Sequence, residues 1–311
     1  MPDVSPAKIA VPRFLRLLIV LIPAITGAVI VRQHHAMLVI SHYLGGRAGN
    51  CTLGESFVGE DLSRLQIQNV AAIREASRIV NHDERYSLWE TPDGSYWMPT
   101  ASGGAVMYDL AEQTRNIYGT GATGVQAGDV VLDCGANVGV FTRKSLDAGA
   151  KLVVAIEPAP ENLECLRRNF RKEIAAGKVI VYPKGVWNKD DVLNLSVDPV
   201  NSARDTFVRP IDDAQMISVP LTTIDKLVRE LHLPRVDFIK MDIEGAEQKA
   251  VVGATQTIAK YGPRMALCIY HLKDDQVMVP RLVMQAKAGY HMKKSCLCAP
   301  DRVQPEVALF Y

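Results

Sequence analysis

Three carboxylate-ended apolar runs and one histidine carry the chemistry this sequence offers. The run Val130-Val131-Leu132 ends in Asp133 and breaks into Cys134-Gly135-Ala136-Asn137-Val138-Gly139. A helical apolar pattern follows at Val138, Phe141, Ser145 and Ala148. A buried strand, a tight small-residue turn and a helix together form the frame of a nucleotide-type site. Gly135 and Gly139 let backbone approach a ligand where a Cβ would collide. Asp133 is placed to attract a ligand ammonium, directly or through water. The spacing is Gly-x-Asn-x-Gly, and Val140 stands where the dinucleotide fingerprint wants its third glycine. A second run, residues 151–156, ends in Glu157, which is positioned to accept hydrogen bonds from two ribose hydroxyls. The blander reading of Glu157 is a carboxylate that solvates a strand end.

The third run, Phe238-Ile239-Lys240-Met241, leads into Asp242-Ile243-Glu244-Gly245-Ala246-Glu247. Asp242 and Glu244 can face an acceptor or offer hard oxygen ligands to a divalent cation. No histidine lies within the block to complete a ligand set, so the residues admit a cation without requiring one. Glu247, in the first turn of the next helix, reads as a complement to the helix dipole. His271 follows the apolar run 265–270, and an imidazole with a pKa of about 6.5 suits a general base. His34, His35, His42 and His82 lie outside this region, and Trp187 fits either adenine stacking or core packing.

The elements that must position these residues alternate. Strands are predicted at 129–134, 151–156, 178–182, 236–242 and 264–271 with helices between most of them, which implies a parallel sheet covered on both faces. Extra strand-like runs fall between Val186 and Pro220. Two short runs, 289–294 and 306–311, close the chain. Upstream, apolar periodicity predicts a helix over 57–80. Alternation around Pro92-Asp93-Gly94 predicts a hairpin over 87–98, and a second helix is expected from Tyr108 to Tyr118. The chain divides into an apolar segment (1–45), a helical and hairpin extension (46–125) and a main domain (126–311). The extension either walls the substrate site or covers a sheet edge.

The blocks 133–139, 156–158 and 237–247 resemble the FkbM-type S-adenosylmethionine-dependent methyltransferases. The resemblance covers residues 105 to 311, with the motifs in family order. It implies a Rossmann-like seven-stranded sheet, mostly parallel with a C-terminal antiparallel strand. It also implies S-adenosyl-L-methionine as cofactor, with the methionine part at Asp133, Gly135, Asn137 and Gly139 and the ribose at Glu157. The acceptor is expected to be a hydroxyl of a sugar, glycolipid or secondary metabolite, with Asp242 and His271 in catalysis. Two other readings compete. One is an NAD-dependent oxidoreductase, against which Val140 and the Asp242 block argue. The other is a catalytically silent, membrane-tethered cofactor-binding protein.

With 311 residues, 48% apolar and 22% charged, the chain has a sizeable core, and its net charge of +1 gives no reason to expect a nucleic-acid partner. Six scattered cysteines (51, 134, 165, 268, 296 and 298) read as ordinary thiols in a reducing compartment, without a disulfide framework or a structural zinc. Leu17 to Val31 carries no charge, is broken by Pro23 and Gly27, and with Phe14, Leu15 and a snorkelling Arg16 reaches nearly spanning length. A membrane anchor, a signal peptide and a buried apolar helix compete, and residues 14–31 read best as a membrane attachment. Lys8, Arg13 and Arg16 would by the positive-inside rule send the main domain across. A cytosolic cofactor favours a helix lying in the interface, with the catalytic domain cytoplasmic. Nothing in the sequence specifies an oligomeric state.

Overall fold

The computed structural model describes residues 35–209 and 211–311. Five strands, β4 (Val130–Cys134), β5 (Leu152–Ile156), β6 (Val179–Tyr182), β10 (Phe238–Met241) and β11 (Arg264–Cys268), are mutually parallel. With β12 (Met292–Cys298) and β13 (Val303–Phe310) they form a seven-stranded sheet in the order β12-β13-β11-β10-β4-β5-β6. β13 runs antiparallel to β11 and to β12. The interior strands β4, β5 and β10 are apolar apart from Asp133 and Lys240, because helices cover both faces of the sheet. Strand order reverses between β4 and β10. The crevice beyond their carboxyl ends is therefore where a doubly wound sheet takes a ligand. The expected seven-stranded sheet is present, with its last two strands at Met292–Cys298 and Val303–Phe310 where runs at 289–294 and 306–311 were expected. The run between Val186 and Pro220 yields a separate three-stranded sheet of β7 (Gly185–Val186), β8 (Asp191–Val197) and β9 (Gln215–Thr222).

The extension departs from its predicted bounds. Its helix spans Leu53–Ala76, opened by a capping box in which Thr52 Oγ1 accepts from the Glu55 amide and Glu55 accepts from the Thr52 amide. It stops before Val80 because residues 78–82 form β1 (Arg78–His82), paired with β2 (Tyr86–Thr91). β2 pairs in turn with β3 (Gly94–Pro99) in the expected hairpin. β-Branched Ile79 and Val80 fit that ladder better than a helix end. The second helix spans Ala105–Thr114, short of Tyr118, where the chain turns at Asn116 with φ 53°.

The long helix lies across β12, and a Cβ on Gly59 would sit 2.6 Å from the Cys296 carbonyl oxygen. Ser63 Oγ accepts from the Cys298 amide at 2.9 Å. The extension thus covers the sheet edge. It also shares a hydrophobic cluster with Val138, Val140 and Cys165 of the main domain.

The thiol expectation is corrected here. Cys51 and Cys296 form a disulfide, while Cys134, Cys165 and Cys268 are buried thiols. The partners stand 245 residues apart and meet only because the segment before the long helix packs beside β12. Their pairing removes the cysteine argument for a reducing compartment. We expect Cys51→Ser to lower unfolding free energy by about 2–5 kcal/mol, measured by denaturant titration beside the wild type. Mapping of unreduced peptides should recover the 51–296 pair. An unaltered midpoint in the variant would show that the bridge does not contribute.

The apolar segment 14–31, and with it the membrane reading, lies outside the described residues. Among the described residues no helix is long and apolar enough to cross a membrane.

Candidate active site

The site is assembled at the carboxyl ends of β4, β5, β10 and β11. After β4 the chain turns sharply back. The Gly135 and Ala136 amides donate to the Ile156 carbonyl, and Gly135 takes φ 76°. A Cβ there would lie 1.9 Å from the Asp242 carbonyl oxygen, so glycine is imposed by the neighbouring strand end as well as by a ligand. Gly139, with φ 97°, is demanded by packing: a Cβ would meet the Phe170 ring at 2.1 Å. It lines neither cavity described below, so packing alone accounts for glycine at this position. Asn137 adopts φ 50° and donates its amide to Glu157 Oε2 at 2.9 Å. Glu157 Oε1 accepts from the Ala159 amide at 2.9 Å. Burial pushes the Glu157 carboxyl up, partly offset by these two bonds. Glu157 therefore braces the glycine loop while facing a cavity.

That cavity, about 510 Å³, is bounded by Gly135, Asn137, Glu157, Asp205, Phe207 and Asp242 among others. Asp205 and Phe207 were not singled out from sequence, because they sit in an irregular loop without a periodic signal. Among the described residues Asp205 Oδ2 has no hydrogen-bond partner. Burial, reinforced by Glu157 and Asp198, pushes that carboxyl up to about 8. Trp187 does not line the cavity. It packs edge-on against Phe207 with ring centroids 6.3 Å apart, so the aromatic facing the cavity is Phe207.

Asp133 differs from its expected role. It is fully buried, lines neither cavity, accepts from Thr142 Oγ1 at 2.7 Å and lies 3.4 Å from Lys240 Nζ. Strand register explains this, because Asp133 on β4 is paired with Lys240 on β10. Lys240 in turn donates to the Gly135 carbonyl at 2.7 Å. Burial works against the ammonium, but Asp133 and Asp242 outweigh it and raise its pKa. Lys240 went unassigned in the sequence, although a lysine inside a buried strand is itself a signal. It faces a second cavity of about 440 Å³ with Asp109, Glu112, Tyr118, Asn137 and Asp242. Burial and the Asp242 charge push Asp109 up to about 7 there.

Around His271 the structure joins what the sequence kept apart. The His271 side chain is 1% exposed, with Nδ1 2.9 Å from Glu247 Oε1. Its Nε2 points between Glu244 Oε1 at 3.3 Å and Asp242 Oδ1 at 3.6 Å. Glu247 is more than a dipole complement. It is fully buried, accepts from the Ile243 and Gly245 amides, and holds the imidazole. Burial opposes a charged imidazole, but Glu247 and Asp242 outweigh it and raise the His271 pKa. The Asp242 carboxyl is held low, burial being outweighed by Lys240, His271 and a 2.8 Å bond from the Tyr118 hydroxyl. Glu244 stands at φ 55°, a conformation that costs a non-glycine residue about 1–3 kcal/mol, and pairs with Arg209 through its other oxygen.

Asp242 and Glu244 face the first cavity. His271 and Arg209 face a groove of about 1540 Å³ rimmed by Arg47, Lys273 and Arg302. Glu244 lines the cavity and its partner Arg209 lines the groove, so the cluster forms part of the wall between the two. Such an arrangement can hold a nucleoside-type ligand on one side and present a second molecule to charged proton-handling groups on the other.

Residues 133–292, just over half of the chain, match the family described as the Methyltransferase FkbM domain. Among curated proteins, the hexuronic acid methyltransferase AglP of Haloferax volcanii is 24% identical over 166 residues, covering 53% of this chain and 66% of its own length. The 31-O-demethyl-FK506 methyltransferase FkbM of Streptomyces tacrolimicus is 25% identical over 157 residues, covering 42% and 60%. The chain thus spans about three fifths of the curated relatives it matches. A solved structure, methyltransferase FkbM from Methylobacillus flagellatus, aligns at 24% identity and a TM-score of 0.46 over 59% of this chain and 44% of that one.

Proposed function

Since this chain belongs to the FkbM methyltransferase domain family, we propose that it is an S-adenosylmethionine-dependent O-methyltransferase. The acceptor we infer is a hydroxyl of a sugar, glycolipid or secondary metabolite. The observation that carries this reading is the cluster of His271, Asp242 and Glu244 at the wall of a Glu157-bearing cavity. The cavity's residues fit the cofactor. Glu157 is aimed at the ribose, and Phe207 supplies an aromatic wall for the adenine. A neutral Asp205 carboxyl both donates and accepts, as the N1/N6 edge of adenine requires. When bound, the cofactor supplies an electrophilic methyl group on a sulfonium. The residues of this chain hold the acceptor oxygen in line with it and handle the acceptor proton. Gly135, Asn137 and Glu157 orient the donor, Asp133 with Lys240 fixes the loop from beneath, and the His271 cluster marks the acceptor end. Against Asp301, the groove carries Arg47, Lys273 and Arg302, which supports an acidic acceptor such as a uronic acid. Hexuronic acid is also the substrate named for the Haloferax relative. Membrane attachment through residues 14–31 with a cytoplasmic catalytic domain belongs to this reading too. Its check is vesicle co-sedimentation of the full chain against a chain lacking those residues, and equal sedimentation would end it.

The test of donor binding is calorimetric titration with S-adenosylmethionine, S-adenosylhomocysteine and NAD. The adenosyl sulfur ligands should bind and NAD should not. Glu157→Gln keeps the shape but offers one acceptor oxygen where two backbone amides and a ribose compete. It should weaken S-adenosylhomocysteine about tenfold or more, a loss of roughly 1–3 kcal/mol. Binding of NAD alone would return the oxidoreductase reading, and retained ligand binding without transfer to any acceptor would return the silent one.

A further inference from the structure

We propose that Asp242, Glu244 and His271 form a binding site for one hard divalent cation of the Mg²⁺/Mn²⁺ class, seated between the cofactor cavity and the groove. Among the described residues these three each offer one ligand atom, and the atoms all lie within 4.8 Å of one another. Two of those atoms, His271 Nε2 and Asp242 Oδ1, are shielded from solvent and have no hydrogen-bond partner. With Nδ1 held by Glu247, Nε2 and Asp242 Oδ1 face each other 3.6 Å apart, and leaving both as bare acceptors costs free energy unless a proton or a cation between them satisfies both.

Each ligand also has its other polar atom fixed by a separate group. Glu247 holds His271 Nδ1 at 2.9 Å, Tyr118 donates to Asp242 Oδ2 at 2.8 Å, and Arg209 pairs with Glu244 Oε2. A carboxylate on the remote imidazole nitrogen sets the tautomer that leaves Nε2 free to ligate, and such outer partners orient metal ligands generally. Two carboxylate oxygens and one imidazole nitrogen suit a hard or borderline divalent ion. The set lacks the thiolates that favour zinc or copper(I). Three protein ligands leave further coordination positions open. Asp242 and Glu244 are 22% and 14% exposed toward the cavity, so those positions are reachable.

This inference deepens the methyltransferase reading and rests on it for its role. An ion at this point would polarise the acceptor hydroxyl and ease loss of its proton, with His271 as a ligand in place of a free base. Binding of the ion itself requires no acceptor.

The experiment is titration of the full chain with Mn²⁺ alone, followed by the loss of the free-ion paramagnetic resonance signal, with S-adenosylhomocysteine binding measured in parallel. One saturable ion per chain is expected, with a nitrogen hyperfine coupling from the imidazole in pulsed spectra. Asp242→Asn and Glu244→Gln should each weaken Mn²⁺ at least tenfold. His271→Ala should abolish the nitrogen coupling. Mg²⁺ should compete. Absence of saturable binding, or equal binding by wild type and all three variants, overturns the site even where S-adenosylhomocysteine binds normally. Saturable, variant-sensitive Mn²⁺ binding upholds the site even where S-adenosylhomocysteine fails to bind, and that failure counts against the methyltransferase reading alone. Should His271→Ala not fold, the two carboxylate variants still decide the matter.

Discussion

His271→Ala is expected to slow methyl transfer by about 10²- to 10⁴-fold, the range for losing a positioned group that activates the acceptor hydroxyl. S-adenosylhomocysteine affinity should stay unchanged. The separation follows from the geometry. His271 reaches toward Asp242 and Glu244 at the groove side, whereas the cofactor cavity is bounded by Glu157, Asn137, Asp205 and Phe207. Loss of the ring leaves Glu247 buried, but both of its oxygens keep a backbone donor, from Ile243 and Gly245, so the loop is retained. Turnover measured on whatever acceptor the wild type methylates, beside calorimetry, checks both halves. An unchanged rate would remove His271 from the mechanism, and a parallel loss of donor affinity would make it a structural residue of the cavity.

A second large effect is expected far from the site. Arg115, at the end of the helix Ala105–Thr114, meets Glu306 on β13 through both terminal nitrogens, at 2.6 and 3.3 Å. The two side chains are 1% and 6% exposed. Glu306→Ala leaves a buried guanidinium facing only the neutral amide oxygen of Gln66 among the described side chains, and should cost about 3–5 kcal/mol of stability. Removing both charges together, as Arg115→Met with Glu306→Leu, should recover much of that loss, because the penalty is the unpaired charge more than the missing bond. Urea titration of the two proteins decides it. A single-variant loss below about 1 kcal/mol would place this pair with weak surface bridges. The pair also ties the extension to the last strand of the sheet, so the same titration reports on how the two parts cooperate.

Much of this architecture was legible because it depends on periodicity and on residues adjacent in the chain. All seven strands of the main sheet were placed. The Gly135–Gly139 turn was read from types and spacing alone, as was Glu157 at its strand end. The helix bounds in the extension were misread because apolar spacing at Ile79 and Val80 fits a helix and a strand alike, and only pairing with β2 decides between them. Asp133 reads as a ligand residue because it ends a strand just before the glycine turn, where a carboxylate can attract an ammonium. Its register against Lys240 instead buries it in an ion pair.

The sequence by itself determined the seven-stranded α/β sheet, the family and the turn between Gly135 and Gly139, since each is written in a contiguous motif whose local conformation follows from glycine, apolar runs and strand-end carboxylates. The tertiary structure alone decided which residues share a neighbourhood. It brought His271 to Asp242 and Glu244 from the adjoining strand, gave Glu247 an imidazole to hold, and joined Cys51 to Cys296 across 245 residues. None of these contacts has a local signal, because each is fixed by the order and register of strands in a sheet. That order is set by burial of the whole core, not by any one segment.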